Sequence, residues 1–486
     1  MIDLTAKNCG SYEVWGPISE GGMSRVWLAR HRELCTPAII KTLLDAPEDA
    51  YARLRNEARL TARIPSQRVV RAIDVGVHEG APYLVEEYVD GVDIAELDRC
   101  RRNAMGRSSP LWFVCRVIDA VSDGLESAHQ TGVIHRDVKP SNIFGSPQTG
   151  LRLGDFGIAT ARRAGPDEAS GTLRFLAPEA LRGAAPTRRW DVYSLGATAY
   201  DLYYGRPPFA TLGEIVSDAP VPFPAPRRPE EAYFQYVVAR MLERDPEQRF
   251  ASVKEPRRLL APLGRTLRPR LAGTTLAHGE FQLGPVRVRC RLGDITDSVI
   301  DGIVNSANDE MRMQSGVGAA LRKRGGREIE DEAMRGGKRA LGECIATGAG
   351  ALHCKKVLHA VSGWKEASCT ARAMQRALLL AEELELRSLA VPALGTGTAK
   401  IAPESSAYAS ASALYWHVLL GGTKLREIEY VLYDKETLDL FIEGLSGVLI
   451  GDAEAEAGAD EDDAPGGDAA LEATLDLRGL TKQGLR

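Results

Sequence analysis

The sequence predicts a chain of several domains: a mixed α+β unit, a three-layer α/β/α unit and a disordered acidic tail. Three observations predict this order. Short apolar strands alternate with helical patterns over residues 11–265 and, after a linker at 266–285 that contains proline and glycine, again over residues 286–448. The final stretch, 449–486, opens with acidic and small residues and carries few large apolar side chains. A length of 486 residues accommodates two or three such domains.

The composition is typical of a globular protein in a reducing compartment. Apolar residues make up 44% and charged residues 26% of the chain, and the formal net charge is −5. This balance gives no reason to expect binding of nucleic acid or of an anionic membrane. No apolar run approaches the roughly 18 residues of a membrane-spanning helix, and the first residues lack the apolar core of a signal peptide. The eight cysteines form no C-x-x-C pair, so we expect reduced thiols and a cytoplasmic protein with no membrane span.

The first unit carries a motif for phosphoryl transfer from a nucleotide. The letters HRDVKPSN at 135–142 are followed by DFG, which begins at Asp155. In this pattern Asp137 orients the hydroxyl group of a substrate, and Lys139 neutralises charge on the moving phosphoryl group. Asn142 and Asp155 offer oxygen ligands for Mg²⁺ or Mn²⁺. Chance seldom assembles so many polar requirements in this order.

With a strand that ends in Lys41 upstream and the letters APE at 177–179 downstream, this region resembles the bacterial eukaryotic-like (Hanks-type) serine/threonine protein kinases. The resemblance covers residues 11–265 and implies a bilobal α+β fold, ATP as the phosphoryl donor and proteins as substrates. It implies that Glu57 is the ion-pair partner of Lys41, and a lysine at 139 is typical of kinases directed at serine and threonine. The residues that it assigns to ATP are Ser19, Gly21, Gly22, Val26, Lys41, Glu87 and Val89.

The resemblance also implies supporting roles outside the catalytic motif. Asp191 is expected to hold the catalytic loop, and Arg249 is expected to be the buried partner of Glu179. In the activation segment, Thr172 is expected to contact the catalytic base. That leaves Ser170 as the best site for phosphorylation.

Three positions depart from the kinase pattern. Ser19 and Ser24 replace two glycines of the phosphate-binding loop, which weakens that loop without removing it. Glu86 stands behind the adenine, where a buried carboxylate needs a partner or a proton. We expect Glu86 to approach Lys41 and to compete with Glu57, and the alternative is a solvated strand residue. Were these departures to remove activity, the first unit would be a pseudokinase scaffold.

The second unit alternates strands and helices, which predicts a sheet covered by helices on both faces. The candidate strands are 286–292, 299–304, 343–349, 356–361, 388–393 and 428–433. The candidate helices are near 317–324, 327–336, 366–386 and 404–418.

Polar residues and glycines follow several of these strands. Asp294 follows the first strand, Asn305 and Asn308 follow the second, and glycines open a helix and a later loop, where backbone N–H groups suit a pyrophosphate. In this order the motifs resemble those of a macrodomain, the fold that binds ADP-ribose. The resemblance implies that Asp294 receives the adenine amino group, that the asparagines bond the distal ribose and that Tyr433 stacks on adenine. The residues that it assigns to ADP-ribose are Asp294, Ile295, Asn305, Asn308, Ser315, Gly316, Val317, Gly395, Thr396, Gly397 and Tyr433.

Two positions depart from the macrodomain pattern, and the first of them favours binding over hydrolysis. Gly318 stands where the branch of the family that removes ADP-ribose has an aspartate, so no group is evident to activate water. Ala399 stands where many relatives have an aromatic residue over the distal ribose. The expected ligand is free ADP-ribose or an ADP-ribosylated protein, and an ADP-ribosyl hydrolase is the alternative.

Overall fold

The computed structural model describes residue 4 and residues 7–20, 24–43, 50–156, 173–217, 219–364, 367–397 and 399–450. Four of the predicted site residues lie outside the described residues: Gly21, Gly22, Ser170 and Thr172. The acidic tail from residue 451 onward also lies outside them, and the side chains of Ser19, Ser24 and Glu57 are not described.

The first lobe is an antiparallel sheet of six strands with one helix. Its strands are β1 (Asn8–Cys9), β2 (Tyr12–Glu20), β3 (Ser24–His31), β4 (Pro37–Leu43), β5 (Ala72–His78) and β6 (Ala81–Glu87), and helix α1 (Ala50–Thr61) lies between β4 and β5 in sequence. The strand order is β1-β2-β3-β4-β6-β5. Val26 pairs with Lys41, and Ile39 pairs with Glu86. Because cross-strand partners and residues two apart share a face, Lys41 and Glu86 lie on the same face of the sheet.

The second lobe is mainly helical. Its elements are β7 (Val92–Asp93), α2 (Ile94–Met105), α3 (Leu111–Gln130), β8 (Ile143–Ser146), β9 (Gly150–Leu153), α4 (Pro178–Leu181), α5 (Arg188–Tyr204), α6 (Leu212–Val216), α7 (Pro229–Met241) and α8 (Lys254–Leu267). Local signals explain the ends of α2. Asp93 caps its first turn by accepting a hydrogen bond from the Glu96 N–H, and Gly106 ends it in the left-handed region at φ 62°. A continuous apolar core joins α3, α5, α7 and α8.

The second unit is built on one sheet of eight strands. Its elements are β10 (Thr274–Ala277), β11 (Glu280–Leu283), β12 (Val286–Leu292), β13 (Gly302–Ala307), α9 (Gly316–Gly325), α10 (Glu328–Met334), β14 (Cys344–Thr347), β15 (Lys356–Val361), β16 (Gly363–Trp364), β17 (Ala367–Ser368), α11 (Thr370–Glu383), β18 (Ser388–Val391), α12 (Pro403–Leu419), β19 (Glu427–Leu432) and α13 (Lys435–Leu449). The strand order is β10-β11-β12-β19-β18-β13-β15-β14. The neighbours from β12 to β15 in this order are parallel, and the outer pairs are antiparallel.

The stretch predicted as a linker, 266–285, is corrected by the structure. It contains strands β10 and β11, a hairpin that continues the sheet of the second unit beyond β12. Gly279, at φ 71°, provides the tight turn of this hairpin. Glycines and a proline suggested a flexible connection, but Phe281 and Leu283 alternate inward and are buried in the core.

Alternation along the central strands produces the predicted three layers. On β13, Ile303 belongs to the core under α9 and α10, whereas Val304 belongs to the core under α11, α12 and α13. Val357 and Leu358 on β15 divide in the same way. The fold class expected from the sequence, a bilobal α+β unit followed by an α/β/α unit, is therefore confirmed. Among the helices described, none is both long enough and apolar enough to cross a bilayer.

Candidate functional site

The catalytic motif of the first unit forms a closed loop around the carboxylate of Asp137. Lys139 Nζ lies 2.8 Å from Asp137 Oδ2. A short 3₁₀ turn over Pro140–Asn142 brings the amide of Asn142 to the same side, where its Nδ2 donates to Asp137 Oδ2 at 3.0 Å and to the Asp137 carbonyl at 2.8 Å. The structure therefore brings together three of the predicted site residues. A carboxylate that accepts from an ammonium and an amide is fixed in orientation.

A buried aspartate holds this loop from behind, as predicted. Asp191 has no exposed surface, and its carboxylate accepts hydrogen bonds from the N–H of Arg136 at 2.8 Å and of His135 at 2.9 Å. His129 Nε2 lies 2.7 Å from the same carboxylate. Arg136 has φ 70°, a backbone conformation that residues other than glycine seldom adopt. The two hydrogen bonds from the backbone to Asp191 therefore stabilise a strained turn beside Asp137.

Lys41 contacts two carboxylates at once. Its Nζ bonds Asp155 Oδ1 and also Glu86 Oε2. Glu86 is only 7% exposed, so the predicted approach to Lys41 is confirmed and the alternative, a solvated strand residue, is wrong. The sequence missed the simultaneous contact with Asp155, because a motif gives no distance between the two lobes.

The three charges respond differently to burial. Burial alone would lower the pKa of the Lys41 ammonium. Asp155 and Glu86 more than offset this effect and raise the pKa above its ordinary value, so the ammonium stays charged. Burial raises the pKa of Glu86 despite the opposing effect of Lys41. Burial would also raise the pKa of Asp155, but Lys41 more than compensates, and the pKa of Asp155 falls. Asp155 therefore keeps its charge more firmly than Glu86 does.

The residues around Asp155 tie it to the catalytic loop. The ring of Phe156, which is buried, lies 4.4 Å from the ring of His135 between centroids. His135 Nε2 lies 2.9 Å from the carbonyl oxygen of Gly154, and burial lowers the pKa of this histidine. A neutral His135 donates from Nε2 to that carbonyl and accepts at Nδ1 from the Asp137 N–H at 3.2 Å.

Three further residues with predicted roles in the first unit are Arg249, Glu87 and Val89. Arg249 is 2% exposed and forms a bidentate pair with Glu179, with N–O distances of 2.6 and 2.7 Å, which confirms the expected partner. Glu87 ends β6, and its carboxylate bonds Arg152 at 2.5 Å, so its side chain is engaged with the second lobe. Val89 follows and is buried.

In the second unit, Asn305 lies in a chain of neutral hydrogen bonds. It is 2% exposed, and its Nδ2 lies 3.1 Å from Nδ1 of the buried His359. His359 Nε2 lies 2.9 Å from Thr347 Oγ1, whose hydroxyl donates to the Gly348 carbonyl at 3.0 Å. Burial lowers the pKa of His359 to about 4, so the ring is neutral and accepts from Asn305. This assigns the amide of Asn305: Nδ2 faces His359 and Oδ1 faces away.

Oδ1 of Asn305 is a buried acceptor that has no hydrogen-bond partner among the described residues. It lies close to the start of α9, where a Cβ built on Gly318 would be 3.5 Å from it and 3.2 Å from Cα of Met313. A side chain at position 318 would therefore crowd Met313. A buried acceptor of this kind is costly unless a ligand or water donates to it.

Asn308 and Asp294 are engaged within their own loops. Asn308 Oδ1 accepts from the Arg312 N–H at 3.0 Å, and its Nδ2 donates to the Arg312 carbonyl at 3.2 Å. Asp294 Oδ1 accepts from the N–H and the hydroxyl of Thr296, which lowers the pKa of this carboxyl. Ile295, between them, is buried. Asn308 therefore shapes the loop after β13 and does not share the arrangement of Asn305.

The two glycine-containing segments meet the end of β13. Gly395, at φ 79°, donates its N–H to Ser306 Oγ at 3.2 Å, and Ser306 Oγ lies 3.0 Å from Ser362 Oγ. Gly316, at φ 53°, starts α9 after Ser315. Of the remaining predicted residues, Val317 lies in α9, and Tyr433 follows β19 and is 90% exposed. The hydroxyl of Thr396 donates to the Ala393 carbonyl, and Gly397 follows Thr396. Sequence reasoning missed His359 and Ser362, because a single histidine in a strand, or a serine just after one, carries no motif.

Comparisons with known proteins agree with this division of the chain. A family model described as "Protein kinase domain" matches residues 12–256, just over half of the chain, and one described as "Macro domain" matches residues 304–409. The chain is 34% identical over 268 residues to the serine/threonine-protein kinase PknB of Mycobacterium tuberculosis, a match that covers 51% of this chain and 42% of that protein. It is 31% identical over 268 residues to the serine/threonine-protein kinase Pkn1 of Myxococcus xanthus, covering 51% and 38%.

The chain thus spans about two fifths of the length of the curated relatives it matches. Among solved structures, it is similar to the PknI kinase domain of Mycobacterium tuberculosis, with 27% identity and a TM-score of 0.43. That match covers 54% of this chain and 98% of the solved one.

Proposed function

Because the chain belongs to the protein kinase family and carries a Macro domain, we propose that it is a serine/threonine protein kinase with a domain that binds ADP-ribose. Its kinase domain transfers the γ-phosphoryl group of ATP to hydroxyl groups of proteins. Its macrodomain binds free ADP-ribose or ADP-ribosylated proteins. The reduced thiols of its eight cysteines suit the cytoplasm.

The observation that carries the kinase proposal is the fixed carboxylate of Asp137, held by Lys139 and Asn142. In this position Asp137 accepts a hydrogen bond from the hydroxyl of the substrate and orients its oxygen toward the phosphorus. Lys139 is then available to neutralise charge on the transferred group. Lys41 supplies a second positive charge for the phosphates of ATP, on the side of the first lobe.

The residues present fit a divalent cation. The amide of Asn142 donates both of its described hydrogen bonds to Asp137, which leaves its oxygen as the ligand atom. Asp155 keeps its charge because Lys41 lowers its pKa. Asn142 and Asp155 would therefore hold Mg²⁺ or Mn²⁺, hard cations that prefer oxygen ligands and that neutralise phosphate charge.

Autophosphorylation with labelled ATP tests the kinase proposal. We expect Asp137→Asn to lower the rate about 10²- to 10⁴-fold, because the hydroxyl of the substrate loses its base. Glu126→Gln is the matched control, since this residue pairs with Lys254 on the surface of the second lobe. Equal labelling of wild type and Asp137→Asn, with nucleotide still bound, would favour the pseudokinase scaffold.

The observation that carries the ADP-ribose proposal is Oδ1 of Asn305. This buried acceptor is aimed by His359, and a ribose hydroxyl is a suitable donor. The glycine-containing segments at 316 and 395 offer backbone N–H groups to the pyrophosphate. Gly318 supplies no acid, so the proposal is binding without hydrolysis.

Calorimetry with ADP-ribose tests the second half. We expect Gly316→Glu to abolish binding, because the position has φ 53° and the new carboxylate repels the pyrophosphate. Gly447→Glu is the matched control, since an added side chain meets nothing within 4 Å there. No binding of millimolar ADP-ribose to wild type would reduce the macrodomain to an interaction module. Release of ADP-ribose from a modified protein would support the hydrolase alternative.

A further inference from the structure

The macrodomain contacts the kinase domain on both sides of its nucleotide cleft. On the first lobe, Leu28 is 1% exposed and shares one apolar cluster with macrodomain residues Met311, Leu341 and Cys369. Leu28 pairs with Ile39, on the face of the sheet that carries Lys41 and Glu86. The apolar residues Trp15, Ile18, Ile39 and Tyr88 of the kinase domain pack against the same cluster.

Residues 88–91, between β6 and β7, form the hinge that joins the two lobes, and this hinge caps a macrodomain helix. Asp90, four residues after Glu86, accepts hydrogen bonds from the N–H groups of Ala371 at 3.1 Å and Arg372 at 3.0 Å, in the first turn of α11. Tyr88 donates its hydroxyl to the same carboxylate at 3.3 Å. A carboxylate at the start of a helix satisfies free N–H groups and interacts well with the helix dipole.

On the second lobe, two arginines fix the macrodomain to helix α2. Arg376 forms a bidentate ion pair with Glu96, with N–O distances of 2.7 and 2.8 Å. Arg101, which is 2% exposed, donates to the carbonyls of Leu420 and Gly421 at 3.0 Å each, at the end of α12. These bonds join residues some 280 to 320 positions apart, so no local pattern predicted them.

Hydrogen bonds, joined by short steps along the covalent chain, link the hinge to the loops proposed to bind ADP-ribose. One residue before the turn capped by Asp90, Cys369 donates its N–H to the Ser362 carbonyl at 3.1 Å. Ser362 Oγ lies 3.0 Å from Ser306 Oγ, which accepts from the Gly395 N–H at 3.2 Å. Ser306 directly follows Asn305 in β13. Ser362 and Ser306 therefore connect the helix end that the hinge holds to the groups proposed to bind ribose and pyrophosphate.

We propose that the macrodomain is a clamp across the two kinase lobes, and that ADP-ribose tightens this clamp and slows the release of nucleotide from the kinase cleft. This inference rests on the proposed function of both domains. Nucleotide leaves a bilobal cleft when the lobes rotate apart about the hinge. Here such a rotation must break the Leu28 cluster on one side or the Arg376–Glu96 pair and the Arg101 bonds on the other. Ordering of the Gly395 loop by ADP-ribose reinforces the same connection.

The first experiment measures the dissociation rate of the fluorescent nucleotide mant-ATP from the full chain with magnesium, by stopped flow. We expect at least about five-fold faster dissociation for Arg376→Gln, because Glu96 loses its partner and the clamp loosens. The exchanged pair Glu96→Arg with Arg376→Glu is expected to restore the slow rate. Arg287→Gln, which breaks an ion pair with Glu280 inside the macrodomain, is the matched control and keeps the wild-type rate.

Equal rates for wild type and Arg376→Gln would overturn the clamp, provided that mant-ATP binds. Absence of mant-ATP binding would instead refute the kinase proposal itself. A fast rate in the exchanged pair, with the wild-type unfolding temperature, would also overturn the clamp, because the ion pair would then have no special role.

The second experiment tests the coupling to ADP-ribose. Calorimetric titrations with the ATP analogue AMP-PNP, with and without saturating ADP-ribose, are expected to differ about five-fold or more in affinity. The reverse pair of titrations must give the same factor, because coupling between two sites is reciprocal. Arg376→Gln is expected to remove the difference. An AMP-PNP affinity that ADP-ribose leaves unchanged or weakens would refute the coupling. Absence of ADP-ribose binding would instead refute the macrodomain proposal, and the mant-ATP rates would then decide on the clamp.

Discussion

The kinase cleft and the macrodomain cleft place opposite kinds of side chain at their proposed ligand sites. In the kinase cleft, Lys41, Glu86 and Asp155 place one positive and two negative charges in contact. In the macrodomain, Asn305 and His359 form a buried chain in which every group is neutral. Under the proposed functions, the first site responds to charge that moves during a reaction, whereas the second only matches a ligand at rest.

This difference explains how each site is stabilised. A buried charge needs several donors or an opposite charge, so the kinase site recruits residues from both lobes. A buried amide needs only its own two or three hydrogen bonds, so the macrodomain site is completed by neighbouring strands β13, β14 and β15. We therefore expect charge changes to disturb the kinase cleft most, and amide truncation to act locally in the macrodomain.

The largest effect is expected for Asp191→Ala. This change leaves the N–H groups of His135 and Arg136 and the ring of His129 without their acceptor in a buried site. The expected cost is about 3–5 kcal/mol, close to the loss of a buried charged partner. For a domain of this size, that corresponds to a fall of about 6–15 °C in the thermal unfolding transition of the kinase domain, followed by scanning calorimetry.

Asp439→Ala, an exposed residue on α13, is the control for Asp191→Ala and should leave the transition unchanged. A fall of less than about 2 °C for Asp191→Ala would contradict the view that charge holds the catalytic loop.

The next effect concerns the amide of the macrodomain. Asn305→Ala removes the acceptor proposed for ribose and leaves His359 Nδ1 without its donor. We expect ADP-ribose to bind at least about ten-fold more weakly, which corresponds to one lost hydrogen bond of about 1.4 kcal/mol. Calorimetry measures this directly.

Asn308→Ala provides the comparison for Asn305→Ala. Because both amide atoms of Asn308 bond the Arg312 backbone, its effect acts through loop shape and should be smaller. A larger loss of ADP-ribose affinity for Asn308→Ala than for Asn305→Ala would contradict the assignment of Asn305 as the main ribose contact.

A smaller effect is expected for Glu86→Gln in the kinase cleft. Glu86 and the phosphates of ATP compete for Lys41, so removal of one negative charge should tighten ATP binding about three- to ten-fold. Equilibrium titration with mant-ATP at pH 7.5 measures the change, with Glu79→Gln, a surface residue paired with Lys7, as the control. Unchanged or weaker binding would remove Glu86 from competition and leave it as a structural partner of Lys41.

The contrast between the sites also decides what the sequence could predict. Charged motifs such as the one around Asp137 are specific because few contexts tolerate them, and their geometry agrees with expectation. The approach of Glu86 to Lys41 was expected from the place of Glu86 in the kinase pattern, and the register of β4 and β6 agrees with it. In the macrodomain the order of the motifs predicted the sheet, but no motif indicated that Asn308 closes a local turn with Arg312.

What the sequence could not predict depends on contacts between distant segments. His359 became important only because β13 and β15 pair in a register that places it beside Asn305. The hairpin at 274–283 was mistaken for a linker because its glycines signal turns without saying whether the flanking residues join a sheet. The hinge contacts of Asp90 are of the same kind, since nothing near residue 90 indicates a helix that begins at 370.

The smallest effect is the pH response of the neutral chain in the macrodomain. Burial lowers the pKa of His359 to about 4 from about 6.5, and the opposing effect of Glu332 is smaller. The folded state therefore binds fewer protons than the unfolded state, so this contribution to stability is present above pH 6.5 and is lost progressively as pH falls toward 4. Between pH 7 and 5.5 the loss should be about 1 kcal/mol, or about 2–4 °C in the unfolding transition of the macrodomain. A glutamine at position 359 can still accept a hydrogen bond from Asn305 but does not titrate. Between pH 7 and 5.5 the unfolding temperature of His359→Gln should therefore fall about 2–4 °C less than that of wild type. Parallel curves for the two proteins would mean that folding does not shift the pKa of His359. A wild-type transition that falls less than that of His359→Gln would mean that the folded ring is protonated, and the amide of Asn305 would then present Nδ2, and not Oδ1, to the ligand.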